Sequence, residues 1–453
     1  MEGVNPMEIG LIHYRVGETD GVSLEMVKWK QVLRNMNIKT YLVAGDMGTS
    51  PGFKIPYIAY TDKRSNILKQ KSFVNLNSWD ETKFKKEMNR YIEDIYNQLY
   101  EMMDLDVMIV NNIFSLAHNP AAAVAIYRFC KDNGIKMIGH HHDFYWERDF
   151  YKNPSNDYIK DILEEYFPPK DISHVVINSL AQEELKNKKG VDSLVIPNVF
   201  DFNQKRWEID DYNIKIYDKL NISQNDLIFL QATRIVRRKA IELAIDTVSE
   251  VKKDLKKYIG KTTFNGKKIT QHTNVFLVLP GLSEESDYVE VLKEYASQKD
   301  VELKLAFSIS DDIRHEEDEI FSLWDFYAIA DFITYPSILE GFGNQFLEAV
   351  FSKTPVLMFE YPVYKKDIAP LGFEVVSLGS KAEYERGMYR VNQNEIIKAK
   401  EEIFKILFDT QRASKIVQKN FELGKKYFSY ETLGKKLKNL LVEKSGVRGE
   451  KAL

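Results

Sequence analysis

Short apolar runs of strand length alternate along this chain with longer stretches whose apolar residues recur at helical spacing. The first strand is Glu8–Tyr14 (E-I-G-L-I-H-Y), and the first helix is Leu24–Met36, with one apolar face. A second strand at Lys39–Gly45 closes a βαβ unit. Further strands are predicted at Asp106–Asn112, Lys136–His140, Ser173–Asn178 and Ser193–Asn198, with helices between them. This regular alternation predicts a doubly wound parallel sheet. It stops at Val195–Phe202, and a polar, irregular segment, read as a linker, runs to Leu220. Alternation resumes at Asp226–Thr233, Asn274–Gly281, Val301–Phe307, Ala330–Tyr335 and Thr354–Glu360. Two Rossmann-like domains are therefore expected, at 1–200 and 201–425. Ligands of open α/β sheets bind at strand carboxyl ends, so a central cleft faced by both domains is the expected site. A helix over 426–443 carries apolar residues that need a partner surface, and 444–453 is expected to be a disordered tail.

Composition narrows the class. A chain of 453 residues exceeds one ordinary core, which agrees with two domains. The hydrophobic fraction is 44%. No apolar run approaches the roughly 18 residues of a membrane span. The N-terminus lacks the basic segment of a signal peptide. A single cysteine, Cys130, excludes an internal disulfide and fits a reducing cytoplasm. With 63 basic and 67 acidic residues the net charge is -4, and nothing global favours nucleic acid. Basic residues on amphipathic helices, such as Lys83–Arg90, read as a solvated face, although such helices also dock on anionic lipid.

The stretch P-S-I-L-E-G-F-G-N-Q-F-L-E (Pro336–Glu348) follows a short buried strand and enters a helix. Gly341 and Gly343 in a strand-to-helix turn allow close backbone approach to a ligand, and the helix N-terminus behind them favours an anion or hydroxyl-rich group. Glu340 and Glu348 bracket the turn. Read singly, Glu348 is a helix-favoured first-turn acid and Phe342 a core residue.

A second constellation follows the strand ending at Thr233. Arg234 and Lys239 lie in the turn leading to a helix, an arrangement that can hold a diphosphate against side-chain cations and a helix N-terminus. Arg237 and Arg238 are expected to be solvated or paired to nearby acids. In the first domain, Gly17 and Gly21 follow the first strand, but their spacing is not G-x-G-x-x-G, which weakens a dinucleotide-binding reading. The turn remains a reasonable phosphate contact.

The third constellation is G-H-H-H-D-F-Y-W-E-R-D-F-Y (Gly139–Tyr151). Adjacent residues of an extended segment point to opposite faces, so the three histidines cannot all ligate one metal ion. His142, beside Asp143, is the candidate functional histidine. Asp104 and Asp106 form a D-x-D pair that precedes an apolar strand and reads as a loop marker.

On these residues the second domain resembles the glycosyltransferase family 4 group of retaining, GT-B fold enzymes. The resemblance rests on A-T-R-I-V-R-R-K-A-I-E-L-A-I, L-V-L-P-G (Leu277–Gly281), Tyr327–Gly343, the E-x7-E pair and the T-P-V-L strand. The first domain is similar more loosely, through its Gly-bearing loop, H-D-F-Y-W-E-R and P-N-V-F-D. The resemblance implies a GT-B α/β fold with the C-terminal helix packing back toward the first domain. It further implies transfer of a hexose from a nucleotide-diphosphate sugar to an acceptor hydroxyl, with retention and without a cofactor required for catalysis.

On that basis Arg234, Lys239 and Gly21 would contact the diphosphate. Glu340 would be catalytic, and with Gly341, Phe342, Gly343 and Asn344 it would hold the sugar. Glu348 would hold the ribose, and His142 would support the transition state. Asp20, Arg15 and Asp143 are assigned to the acceptor, and His13, Tyr14 and Arg148 are compatible with a phosphorylated or carboxylated small molecule, another sugar or a lipid head group. A small-molecule, sugar or lipid-linked acceptor all remain open, with peripheral membrane contact possible. Where the family more commonly has glycine, this chain has Ala240. The alternatives are a sugar-nucleotide epimerase, a disaccharide phosphorylase on the same fold, or a non-catalytic sugar-nucleotide-binding module.

Overall fold

The structure is a computed structural model describing residues 7–17 and 21–445. It divides into two compact units, one comprising Met1–Val199 with Tyr430–Leu453 and the other Phe200–Ser429.

The first unit is built on β1 (Glu8–Arg15), β2 (Lys39–Asp46), β3 (Phe53–Lys54), β4 (Val107–Asn111), β5 (Lys136–His141), β6 (Ser173–Val176) and β7 (Leu194–Val195). They form one parallel sheet in the order β3-β2-β1-β4-β5-β6-β7. Helices cover both faces of such a sheet, so its central strands are mostly apolar and buried; all five residues of β4 are buried, Asn111 among them. Alternation along β1 sorts side chains between two cores. Ile9 and Leu11 join Trp29 and Leu33 on one face, while Ile12 and Tyr14 join Phe84, Ile92 and Ala122 on the other.

Local signals delimit the helices. Helix Pro120–Asp132 has proline at its start and an N-cap, Asn119, whose side chain accepts from Ala122 N. Helix Ser179–Lys189 starts on Asn178 in the same manner and stops at Gly190, which is left-handed.

The C-terminal helix finds its partner surface in this unit. Leu433, Leu437, Leu440 and Leu441 join the cluster of Trp29 and Leu33. The helix runs Tyr430–Ser445, so it begins later than 426 and continues past 443. The chain breaks at Ser429 because Phe428 closes the preceding helix Thr410–Phe428, with its ring 5.2 Å from that of Phe342. The rest of the expected tail, 446–453, lies outside the described residues.

The second unit repeats the architecture with β8 (Leu227–Leu230), β9 (Val275–Leu279) and β10 (Glu302–Leu305), then the small pair β11 (Ser310–Asp311) and β12 (Phe321–Ser322). β13 (Phe332–Tyr335), β14 (Val356–Met358) and β15 (Val376–Ser377) complete the main sheet, and β16 (Glu383–Glu385) pairs with β17 (Met388–Arg390). The main sheet is parallel, in the order β10-β9-β8-β13-β14-β15. The stretch expected to be a polar linker is anchored to this unit by aromatic rings. Trp207 stacks on Trp324 at 4.4 Å, and Phe200 lies 5.1 Å from Phe351. Isolated aromatic residues in a polar stretch give no periodic signal, which is why periodicity alone missed the anchor.

Each sheet has one point where strand order reverses, between β1 and β4 in the first unit and between β8 and β13 in the second. Crossovers leave such neighbours in opposite directions, and the diverging loops open a crevice at the carboxyl ends.

Candidate active site

In the second unit the two turns at the crevice are those singled out by sequence. β8 leads into the turn containing Arg234–Lys239, and β13 into Pro336–Gly343. The turns are joined directly: Ile338 N donates to Arg238 O at 3.0 Å, and Arg238 Nη1 donates to Leu339 O at 3.1 Å.

Between them lies a buried ion pair. Lys239 Nζ bonds Glu340 Oε1, and both side chains are 10% exposed. Arg238 Nη1 reaches Glu340 Oε2 at 3.1 Å. Burial alone would raise the Glu340 carboxyl, but Lys239 and Arg238 hold it below the ordinary carboxylate value. Lys239 ends below the usual lysine value because burial outweighs the pull of Glu340, with Arg238 adding to the depression. The Tyr335 hydroxyl hydrogen-bonds the same carboxylate, so Glu340 is held by two cations and a phenol.

Arg234 lies on the rim, paired with Glu284 through half-exposed side chains. Arg237 meets Glu285 and Asp287, each at 2.6 Å, which is the pairing expected of it. Arg238 is also paired to an acid, but to Glu340 of the candidate site. Its neighbours in sequence gave no sign of this, because the partner arrives from another strand. Two tyrosines were also missed. The Lys239 ammonium lies 5.7 Å from the centroid of the Tyr335 ring, and Tyr361 Oη donates to Phe342 O at 2.5 Å. Tyr335 closes β13 immediately before Pro336, which was the available signal.

The glycine turn is built as its spacing suggests. Gly343 has φ +116°, and a Cβ there would press on the Tyr361 and Tyr335 hydroxyls. Asn344 opens helix Asn344–Ser352. Gly341 is exposed, whereas Phe342 is buried, its ring against Phe428 and its carbonyl oxygen taken by Tyr361. Glu348, one turn into the helix, accepts from Tyr327 Oη at 2.6 Å.

In the first unit the alternation of the three histidines is as expected. His141 turns one way, with Nε2 3.0 Å from His174 Nδ1. His140 and His142 lie on the other side, ring centroids 4.4 Å apart, and His140 stacks on Trp29 at 4.3 Å. Asn112 Oδ1 accepts from His142 N at 2.7 Å, and Asn112 itself holds φ 56°. That left-handed turn after β4 aims its side chain at the next strand's loop. Asp143 lies 3.5 Å from Arg148, and Arg15 ends β1 with its guanidinium 5.7 Å from the Tyr60 ring. Gly21 opens helix Gly21–Asn35, where a Cβ would meet nothing within 4 Å. Gly17 is the constrained glycine of that turn, at φ +84° against Met47 O. Asp20 lies outside the described residues. No group of three or more potential metal ligands occurs among the described residues.

The chain belongs to the glycosyl transferases group 1 family, whose model matches residues 213–377, and its two Rossmann-like units have GT-B glycosyltransferases among their structural neighbours. It is 92% identical over 422 residues to the mannosylglucosylglycerate synthase of Petrotoga mobilis, covering 93% of this chain and 98% of that protein. Identity to the mannosylglucosylglycerate synthase of Thermotoga maritima is 39% over 431 residues, covering 94% and 98%. A glycosyltransferase structure from Rickettsia africae superposes with a TM-score of 0.62 at 15% identity, covering 98% of this chain and 100% of that one, a likeness of fold. No helix among the described residues is long and apolar enough to cross a membrane.

Proposed function

We propose that this enzyme transfers a mannosyl group from a nucleotide-diphosphate mannose to a hydroxyl on the glucosyl ring of glucosylglycerate, forming mannosylglucosylglycerate with retention at the anomeric carbon. The observation that carries this reading is the 92% identity over 98% of the Petrotoga mobilis synthase.

The second unit supports the donor half of the reading. Arg234, Arg238 and Lys239 supply cations for a diphosphate that gains charge as it leaves. Glu340, with the backbone of Gly341–Asn344, accepts from and donates to sugar hydroxyls, and Glu348 takes the ribose diol. In the reaction the anomeric carbon's bond to the diphosphate oxygen breaks, and the acceptor oxygen replaces it on the same face. The acceptor's hydroxyl proton leaves with the diphosphate. His142 stabilises charge in that transition state. We place the reaction in the cytoplasm, where the lone buried thiol of Cys130 stays reduced.

The test is incubation with a panel of nucleotide mannoses and glucosylglycerate, reading product mass and anomeric configuration by NMR. A retained mannosyl linkage is expected, with turnover surviving a chelator because side-chain cations already face the diphosphate. Donor hydrolysis without transfer would overturn the acceptor assignment, and an inverted linkage would overturn retention. Release of sugar phosphate from phosphate and a disaccharide, without nucleotide, would replace the transferase by a phosphorylase.

A further inference from the structure

We propose that Tyr335 and Tyr361 are positioning residues for the donor sugar: their hydroxyls fix the Glu340 carboxylate and the Phe342 carbonyl relative to each other, and that spacing decides which hexose epimer is transferred. The proposal rests on the reading of Glu340 and the Gly341–Asn344 backbone as the sugar end of the donor site.

Strand register brings the two rings together. β13 and β14 are parallel neighbours in which Tyr335 pairs with Met358, so both strands end at the same level. Tyr361 stands in the loop that leaves β14, and its ring meets that of Tyr335 edge to face, centroids 5.9 Å apart. Other bonds hold that loop. Phe359 N donates to Tyr335 O at 3.3 Å, Glu360 N to Gly379 O at 2.8 Å, and Ser377 Oγ to Glu360 Oε1 at 2.6 Å. The loop therefore keeps its place without the Tyr361 hydroxyl.

The two hydroxyls instead hold the glycine turn. Tyr361 Oη donates to Phe342 O at 2.5 Å, and Tyr335 Oη bonds the Glu340 carboxylate. Both rings are buried, and burial raises both phenols far above the ordinary tyrosine value, so each stays protonated and donates. The hydroxyls also converge on Gly343, where a Cβ would lie 2.9 Å from that of Tyr335 and closer still to that of Tyr361. Glycine populates both signs of φ, which leaves the Phe342–Gly343 peptide able to rotate. The bond from Tyr361 removes that freedom. A trans peptide sets its N–H opposite its C=O, so fixing the Phe342 carbonyl fixes the Gly343 N–H as well. Phenylalanine would serve packing alone, as Phe346 does with its ring 5.7 Å from that of Tyr364. Epimeric hexoses differ in the direction of one hydroxyl. A site separates them only when its acceptor and donors keep one geometry, because the penalty on the wrong epimer is a polar group left unpaired.

The experiment measures transfer to glucosylglycerate by the wild type, Tyr361→Phe, Tyr335→Phe and a control, Tyr364→Phe, whose buried ring lies 6.0 Å from that of Tyr361. Mannose and glucose are each offered on guanosine diphosphate and on uridine diphosphate. Calorimetric binding of the two bare nucleoside diphosphates checks the fold. The wild type is expected to favour mannose in kcat/KM. Tyr361→Phe and Tyr335→Phe should each lower kcat/KM for the mannose donor by about five- to a hundredfold, the range for a buried group that loses its partner. The glucose donor should fall less, so the ratio between the two sugars narrows, while bare nucleotide binding and the control stay at wild-type values. Should one of the two variants fail to bind nucleotide, the ratio in the other decides. Lower melting temperatures with an unaltered sugar ratio would reduce the hydroxyls to a packing role and overturn the inference. The same narrowing in Tyr364→Phe, or a wild type that uses both sugars equally, would also overturn it and leave the transferase reading standing. A wild type that transfers neither sugar would overturn the proposed function, and this inference with it.

Discussion

Lys239 and Glu340 come from turns a hundred residues apart and meet as an ion pair in which each side chain is 10% exposed. Arg238 contributes a second cation to the same carboxylate at 3.1 Å. The two ends of the pair are therefore not equivalent. Removing Lys239 leaves Glu340 with Arg238, whereas removing Glu340 leaves a buried ammonium beside a guanidinium. We expect Lys239→Ala to cost about 1–3 kcal/mol, the range for a buried group losing one partner. Glu340→Ala should cost about 3–5 kcal/mol, as when a buried charge loses its only counterion. Denaturant titration of both variants checks the order, and equal costs would show that Arg238 does not share the carboxylate. Lys239→Ala should also weaken donor turnover strongly, and unchanged turnover would remove the diphosphate assignment.

The same pair sets an acid limit. The Glu340 carboxyl lies below its ordinary value of 4.5 in the folded protein. A group with a depressed folded value stabilises fully above the unfolded value, and its contribution is lost as pH falls through the folded one. The stability gap between wild type and Glu340→Gln should therefore be constant near neutrality and close progressively below pH 4.5. A gap that failed to narrow in acid would contradict an ionised Glu340.

Arg234 presents the opposite case, a rim cation held by Glu284 with side chains 45% and 50% exposed. Exposed pairs contribute about 0–1 kcal/mol, so Glu284→Gln should leave the melting temperature within a degree or two. It should tighten nucleotide-diphosphate binding by up to about fivefold, because Arg234 no longer exchanges one anion for another. Weaker binding would mean that Glu284 positions Arg234 rather than competing for it.

Much of this arrangement was legible in the chain. Buried strands such as Val275–Leu279 and the turns Arg234–Lys239 and Pro336–Gly343 carry their signals locally, in unbroken apolar runs and in glycines and cations at strand ends. Arg238 was not legible, because the three consecutive cations Arg237, Arg238 and Lys239 look alike until the partner strand is placed. The pairing of His118 with Tyr151, 33 residues on, is hidden for the same reason. Trp207 and Phe200 escaped a reading based on periodicity, since two rings in a polar stretch anchor a chain without repeating.

Glycine roles separate by backbone angle. Gly343 holds φ +116°, and a Cβ would strike the Tyr335 and Tyr361 hydroxyls, whereas Gly21 has open space around it. Gly343→Ala should cost about 1–3 kcal/mol, as residues in sparsely populated backbone regions do, and weaken donor binding by shifting the turn. Gly21→Ala should leave stability unchanged to within about 0.5 kcal/mol, the range of a neutral surface substitution. If it also leaves donor KM unchanged, any phosphate contact at Gly21 is through the backbone alone; a raised KM would show that the space beside Gly21 is needed by the ligand.

His142 is held by its backbone through Asn112 Oδ1 at 2.7 Å, while its ring leans on His140 at 4.4 Å. A side chain fixed in this way can be removed without dismantling the loop. His142→Ala should therefore keep the fold and donor affinity while lowering kcat by about 10²-fold or more, the scale of a lost group that acts in the transition state. Asn112→Ala frees the loop and leaves the left-handed residue without its bond, so it should lower kcat and melting temperature together. Pre-steady-state transfer measured at saturating donor distinguishes the two. A His142→Ala enzyme with normal turnover per bound donor, but much weaker donor binding, would make His142 a binding group and not a catalytic one.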